Sequence, residues 1–133
     1  MNDLSHTKDT RYQRGTQLFE EVTGLSATEF TSSLDNIAPR FARYVMEWEF
    51  ADMIGESSLD AKTREIVAIT SLAMQGATSA PILKLRIGTA LAAGVTRQEI
   101  IDTFIQLAVA CGFPTALAAI HVAQACFSEF DAK

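Results

Sequence analysis

Residues 95–112 read VTRQEIIDTFIQLAVACG, and they decide the fold. The stretch opens on a helix-start signature. Thr96 is followed three residues later by Glu99, so the hydroxyl can accept from the Glu99 N–H while the carboxylate reaches back to the Thr96 N–H. Val95 and Ile100 flank this box as a hydrophobic staple. Ile100, Ile101, Phe104, Ile105, Leu107, Ala108 and Val109 then place apolar groups on nearly every side of a helix ending near Cys111. A helix of that kind is expected to be buried all round. Gly112 ends it, and Pro114 restarts a last helix that runs through Phe130. Such a centre calls for an array of helices packed around it.

The same punctuation recurs upstream. Tyr12, Leu18, Phe19 and Val22 give one apolar side to a first helix over about Asp9 to Val22, closed by Gly24. Residues 1–8 read as a loose tail. Ser26 and Glu29 form another capping box, stapled by Leu25 and Phe30, and start a short helix ending near Asn36. Pro39 suits a first helical turn. Phe41, Tyr44, Val45, Trp48 and Met53 recur at three- and four-residue steps, so Pro39 to Ile54 is expected to be one amphipathic helix with those residues inward. Arg40, Arg43, Glu47 and Glu49 lie on its other side. Asp60 is the expected N-cap of a helix from Ala61 to Met74, with Ile66, Ile69, Thr70 and Ala73 inward. Gly76 closes that helix. Thr78 or Ser79 caps the next, which reaches Ala93 before Gly94. No run alternates apolar and polar residues for long, as a strand does. The expected fold is all-α, a compact array of six or seven helices forming a single domain over residues 9–133.

Composition narrows the function classes. The 133 residues suit one domain, with 48% hydrophobic and 20% charged residues, the balance of a folded globule. The net charge is −5 and the eleven Lys and Arg are scattered. That leaves no basic face for nucleic acid or for an anionic membrane. Cys111 and Cys126 lie 15 apart, which fits neither a CxxC pair nor a zinc spacing. Two His give little from which to assemble a metal site. Met1 to Arg14 is polar and is not expected to be a signal peptide. The longest apolar stretch, Phe104 to Ala110, is interrupted by Gln106 and is too short to cross a bilayer. A cytoplasmic setting is expected, with neither metal nor organic cofactor. The apolar helix together with Phe113, Leu117, Ile120 and Phe127 is more apolar surface than one small domain hides, which predicts a homo-oligomer.

Three segments in order resemble the carboxymuconolactone decarboxylase family, the group that includes alkylhydroperoxidase D. Leu59 to Val67 is similar to the family's LDxxTRExV helix start, Ala90 to Ile100 to its ALxxGxTxxEI turn, and Gln106 to Leu117 to its QLAxYxGxPxAL segment. The resemblance implies an all-α, alkylhydroperoxidase D-like fold assembled as trimers or hexamers. The reaction it implies is decarboxylation of a lactone dicarboxylate in aromatic-acid breakdown, without a cofactor. The family's peroxidase branch carries CxxC followed four residues later by His. Those positions fall on Ser79, Ile82 and Arg86. Neither serine nor isoleucine supplies the thiolate such chemistry needs, so peroxidase activity is not expected.

Four residues are candidates for a site acting on a small anionic lactone or carbonyl metabolite. Glu65 matches a family glutamate associated with proton transfer; read structurally, it is a first-turn acid favoured by the helix dipole. Arg86 stands where the decarboxylase branch has histidine. It cannot trade protons, but it can clamp a carboxylate. It sits among Ile82, Leu83, Leu85 and Ile87, so it needs a partner: a ligand, or Glu47 or Glu65. His121 reads as a packed or interface histidine, and as a catalytic one only if it reaches the pocket. Glu47 and Glu49 leave open which of them points inward. The leading reading is an enzyme of the lyase type, and its rival is a non-catalytic oligomeric small-molecule-binding protein. A pocket lined by Glu65 and Arg86 favours the enzyme, and a Glu–Arg pair closed on itself favours the binding protein.

Overall fold

A computed structural model describes residues 10–133 in full and the helical backbone from residue 2. The loose tail expected over residues 1–8 lies outside the fully described residues. The elements in order are α1 (Asn2–Thr23), α2 (Ala27–Ser33), α3 (Pro39–Tyr44) continuing as a π-helix (Val45–Ile54), α4 (Ala61–Met74), a 3₁₀ turn (Gly76–Ser79), α5 (Ala80–Ala92), α6 (Arg97–Cys111) and α7 (Phe113–Asp131). The all-α expectation holds, with seven α-helices and no strand among the described residues. None of these helices is long and apolar enough to cross a membrane. The chain divides into two compact units, residues 1–58 and 59–133.

In the first unit α1 packs on the π-helix. Phe19 sits edge-on to Phe50 with ring centroids 5.1 Å apart, and Ala27 and Met46 complete a small core. Ser26 accepts from the Glu29 N–H at 3.1 Å, the Ser26 half of the expected capping box, and Glu20 accepts from the next N–H, that of Ala27, at 2.9 Å. The helix expected over Pro39 to Ile54 has a different phase from the one read in sequence. Phe41, Tyr44, Trp48 and Met53 are exposed, and Ala42, Met46, Glu47, Phe50 and Ala51 are buried. Switching to a π-helical turn at Val45 lengthens the repeat, so a face extrapolated at three- and four-residue steps drifts off over Trp48 and Met53, whereas Phe41 and Tyr44 precede the switch and are exposed already in the α-helical part.

The second unit is built around α6. Ile100, Phe104 and Leu107 enter a core shared with Ile69, Leu83 and Ile87. Asp60 caps α4 through the Thr63 N–H at 2.8 Å, and Thr96 and Glu99 form the complete capping box at 3.0 and 2.9 Å. Gly112, at φ +93°, permits the turn that folds α7 back along α6. The all-round burial expected of α6 is not met within one chain, because Ile105 and Val109 are exposed. Their face lies away from the core that holds Phe104 and Leu107. Ser79 does not cap α5; its hydroxyl turns back to the carbonyls of Leu72 and Gly76.

Candidate functional site

Glu65 is the fifth residue of α4, past the first turn, so the helix dipole does not account for it. Successive turns of α4 put Glu65, Ile69 and Ala73 on one buried face, which packs against α5. On α5, Arg86 and Thr89 are three residues apart and therefore share a side. Leu83, Ile87 and Ala90 bury that helix around them, while Ile82 and Leu85 are exposed.

The three polar side chains meet. Arg86 Nη2 donates to Glu65 Oε2 at 3.2 Å, and Arg86 Nε donates to Thr89 Oγ1 at 3.2 Å. Thr89 Oγ1 lies 2.6 Å from Glu65 Oε1 and 3.0 Å from the Arg86 carbonyl. It has a single proton to give, and the shorter bond to a carboxylate is the stronger acceptor. The result is a closed ring: Arg86 to Thr89, Thr89 to Glu65, Arg86 to Glu65. Glu65 is 3% exposed and the Arg86 side chain 11%. Both carboxylate oxygens are engaged, each by a different donor. Thr89 is the member that the sequence reading missed; its signal is the three-residue step from Arg86.

His121 is not among the described partners of this ring. Glu47 is the inward glutamate of the first unit, where Arg11 Nη1 approaches its Oε1 at 3.5 Å and Arg43 Nε lies 4.0 Å away. Among the described residues no donor meets its Oε2. Arg11 itself is held mainly by Asp52, donating from Nε at 3.1 Å and again from Nη2. That pairing lowers the Asp52 carboxyl and raises the Arg11 guanidinium from their ordinary values. His121 is exposed on α7, one turn beyond Leu117. Cys126 is buried with Sγ 3.7 Å from the Lys84 carbonyl, and burial pushes its thiol up. A raised thiol is poor in thiolate, the opposite of what peroxide chemistry requires.

A groove of about 820 Å³ runs between α6 and α7, lined by Ile105, Val109, Phe113, Leu117 and Ile120 with the small Ala108 and Ala116. Neither Glu65 nor Arg86 lines it.

The sequence profile of the carboxymuconolactone decarboxylase family matches residues 39–125. A protein of Paracoccus denitrificans, described as an uncharacterized 15.0 kDa protein in the nqo9-nqo10 intergenic region, is 32% identical over 99 residues, 74% of this chain and 74% of its own length.

Proposed function

The chain belongs to the carboxymuconolactone decarboxylase family, and from that premise we propose that it is an oligomeric small-molecule-binding protein that has kept the fold without the reaction. The observation that carries this reading is the closed Glu65–Thr89–Arg86 ring. Turnover of an anionic metabolite needs a clamp for its carboxylate and a group that exchanges a proton with it. Here the clamp and the proton carrier bind each other. A buried hydrogen-bonded network of this sort fixes the packing of two helices, and opening it exposes a charge to an apolar surrounding.

A second reading is supported by one feature of the ring. Arg86 Nη2 donates to Glu65 Oε2 at 3.2 Å, longer than the about 2.7–2.9 Å of a strong charge-assisted bond. A ligand carboxylate meeting the guanidinium bidentately would compete well for it. It would release Glu65 Oε2 beside the ligand, where it could exchange a proton. In that case the protein is a cofactor-free lyase acting on a small anionic lactone or carbonyl compound.

A metabolite thermal-shift screen on the wild type, Glu65→Gln and Arg86→Ala separates the two, since a ligand raises apparent stability by mass action. The binding-protein reading expects no anionic metabolite whose shift depends on Arg86, and no product from any ligand found. A lactone or keto acid that loses its shift in Arg86→Ala, and is consumed by the wild type but not by Glu65→Gln, overturns it in favour of the lyase.

A further inference from the structure

Glu47 is a second buried carboxylate, 5% exposed, and its bonding differs from that of Glu65. Arg11 Nη1 approaches its Oε1 at 3.5 Å, the long end of a hydrogen bond, while the same guanidinium holds Asp52 more closely. Among the described residues the Oε2 of Glu47 meets no donor, and the buried Nε of Arg43 meets no acceptor. Few buried polar atoms in a native fold are left in that state, and each calls for a cause. Here the backbone supplies it. Arg43 and Glu47 are four residues apart, the spacing at which such a pair meets on an α-helix. The switch to the π-helix at Val45 falls between them, and Arg43 Nε stays 4.0 Å from Glu47 Oε1, beyond bonding reach. Interruptions of this kind recur at functional sites.

We propose that Glu47 and Arg43 hold the hydroxyl group of a small conjugated ligand, a phenol or an enol: Arg43 Nε donates to its oxygen, and the hydroxyl donates to Glu47 Oε2. Hydrogen-bond chemistry selects the group. A carboxylate oxygen only accepts and a guanidinium N–H only donates, so whatever joins them must do both. A carboxylate would accept from Arg43 but stand against the Glu47 charge, and an ammonium would meet the opposite conflict. A hydroxyl does both through one atom. The neighbouring side chains select the body of the ligand. The Arg43 guanidinium rests over the Tyr44 ring, 5.3 Å from its centroid, and the Tyr44 and Trp48 rings are 5.8 Å apart. Both rings are exposed, so an aromatic surface adjoins the guanidinium, and a flat conjugated molecule packs best on such a surface. The proposal rests on the binding-protein reading above and gives it a ligand class and a site. That site is separate from the Glu65 ring, where both carboxylate oxygens are already engaged.

The test is a thermal shift of the full chain with phenol, matched against anisole, which has the same ring and oxygen but no proton to donate. Phenol is expected to raise the melting temperature of the wild type, and to raise it further with concentration as mass action requires. Anisole is expected to give no shift. The phenol shift is expected to be lost in Glu47→Leu, and to be kept in Glu65→Gln. Arg43→Lys keeps the charge but removes the Nε donor, and it is expected to lose the shift too; this variant carries the test should Glu47→Leu lose the helical circular dichroism of the wild type. Equal shifts from phenol and anisole, or a phenol shift that survives Arg43→Lys, overturn the site. They leave standing the binding-protein reading, which falls to Arg86- and Glu65-dependent turnover instead. A wild type that phenol does not shift overturns the site as well, and a crystal structure with a water bridging Glu47 Oε2 and Arg43 Nε would then assign the two atoms to packing.

Discussion

At the scale of single residues, the ring of Glu65, Thr89 and Arg86 makes unequal demands on its members. Thr89→Val keeps the shape but leaves Glu65 Oε1 without its donor and Arg86 Nε without its acceptor. The expected cost is about 1–3 kcal/mol of unfolding free energy in urea, with Thr89→Ser close to wild type. Arg86→Ala strands a buried carboxylate and is expected to cost more, about 3–5 kcal/mol. A Thr89→Val loss equal to that of an exposed threonine such as Thr28→Val would show that the ring contributes nothing. Hydroperoxide reduction is a second residue-level expectation: none that depends on Cys111 or Cys126, because Ser79 and Ile82 occupy the paired-thiol positions and the Cys126 thiol is pushed up by burial. Turnover abolished by Cys111→Ser would contradict it. Much of this site was legible in sequence. An arginine between Leu83 and Ile87 announced a need for a partner, and Glu65 was one of those named for it. The reading could not choose Glu65 over Glu47 or a ligand, since the distance between α4 and α5 is set by packing, and it missed Thr89 because a threonine inside a helix has several bland uses.

Elements were legible wherever a local hydrogen bond fixes them. The Thr96–Glu99 box, the Asp60 cap and the turns at Gly24, Gly94 and Gly112 all fall where side-chain chemistry alone places them. The π-helix was not legible. Its longer repeat is a response to what packs beside it, and α1 is that neighbour. Gly15 shows the constraint, for a Cβ built there collides with the Met46 carbonyl. A backbone oxygen cannot swing aside as a side-chain tip can. Alanine would ordinarily stabilise a helix by about 1 kcal/mol over glycine. Here the sign is expected to reverse: Gly15→Ala should destabilise by at least 1–3 kcal/mol, the usual range for overpacking. The same substitution at Gly88, whose nearest neighbour is the Phe130 ring at 3.9 Å, should be neutral or stabilising. Calorimetric melting of the two variants decides it, and two upward shifts would mean that α1 is not held against Met46. The α6 face makes the complementary point. Its hydrophobicity was read as burial on every side, yet Ile105 and Val109 are exposed, because sequence pattern gives a helix's apolar character and not how many of its sides the rest of the chain covers.

For the molecule as a whole, electrostatics sets the pH range of stability, and the direction can be worked out group by group. Asp52 lies below the usual carboxylate range because Arg11 donates to it, and Asp131 because Arg97 does. Asp60 and Glu99 are lowered chiefly by the backbone N–H groups of Thr63 and Thr96 at helix starts. A carboxylate lowered on folding contributes stability that is present above its unfolded value, about 4, and lost as pH falls through its folded one. All four act in one direction. They are solvent-exposed, so each contributes little alone, and the two Asp–Arg pairs should weaken further as salt rises. The alkaline limb has a different source. Burial raises the Cys126 thiol, so the folded chain holds a proton that the unfolded chain sheds above about 8.5, and stability falls as pH rises past that point. The urea midpoint is therefore expected to be flat through neutrality, to drop below about pH 4, and to drop again more gently above about pH 8.5. Cys126→Ala should flatten the alkaline limb without moving the acid one, and Asp52→Asn should make the acid drop slightly shallower without moving the alkaline one. An alkaline fall that persists unchanged in Cys126→Ala would place its cause in a group other than this thiol.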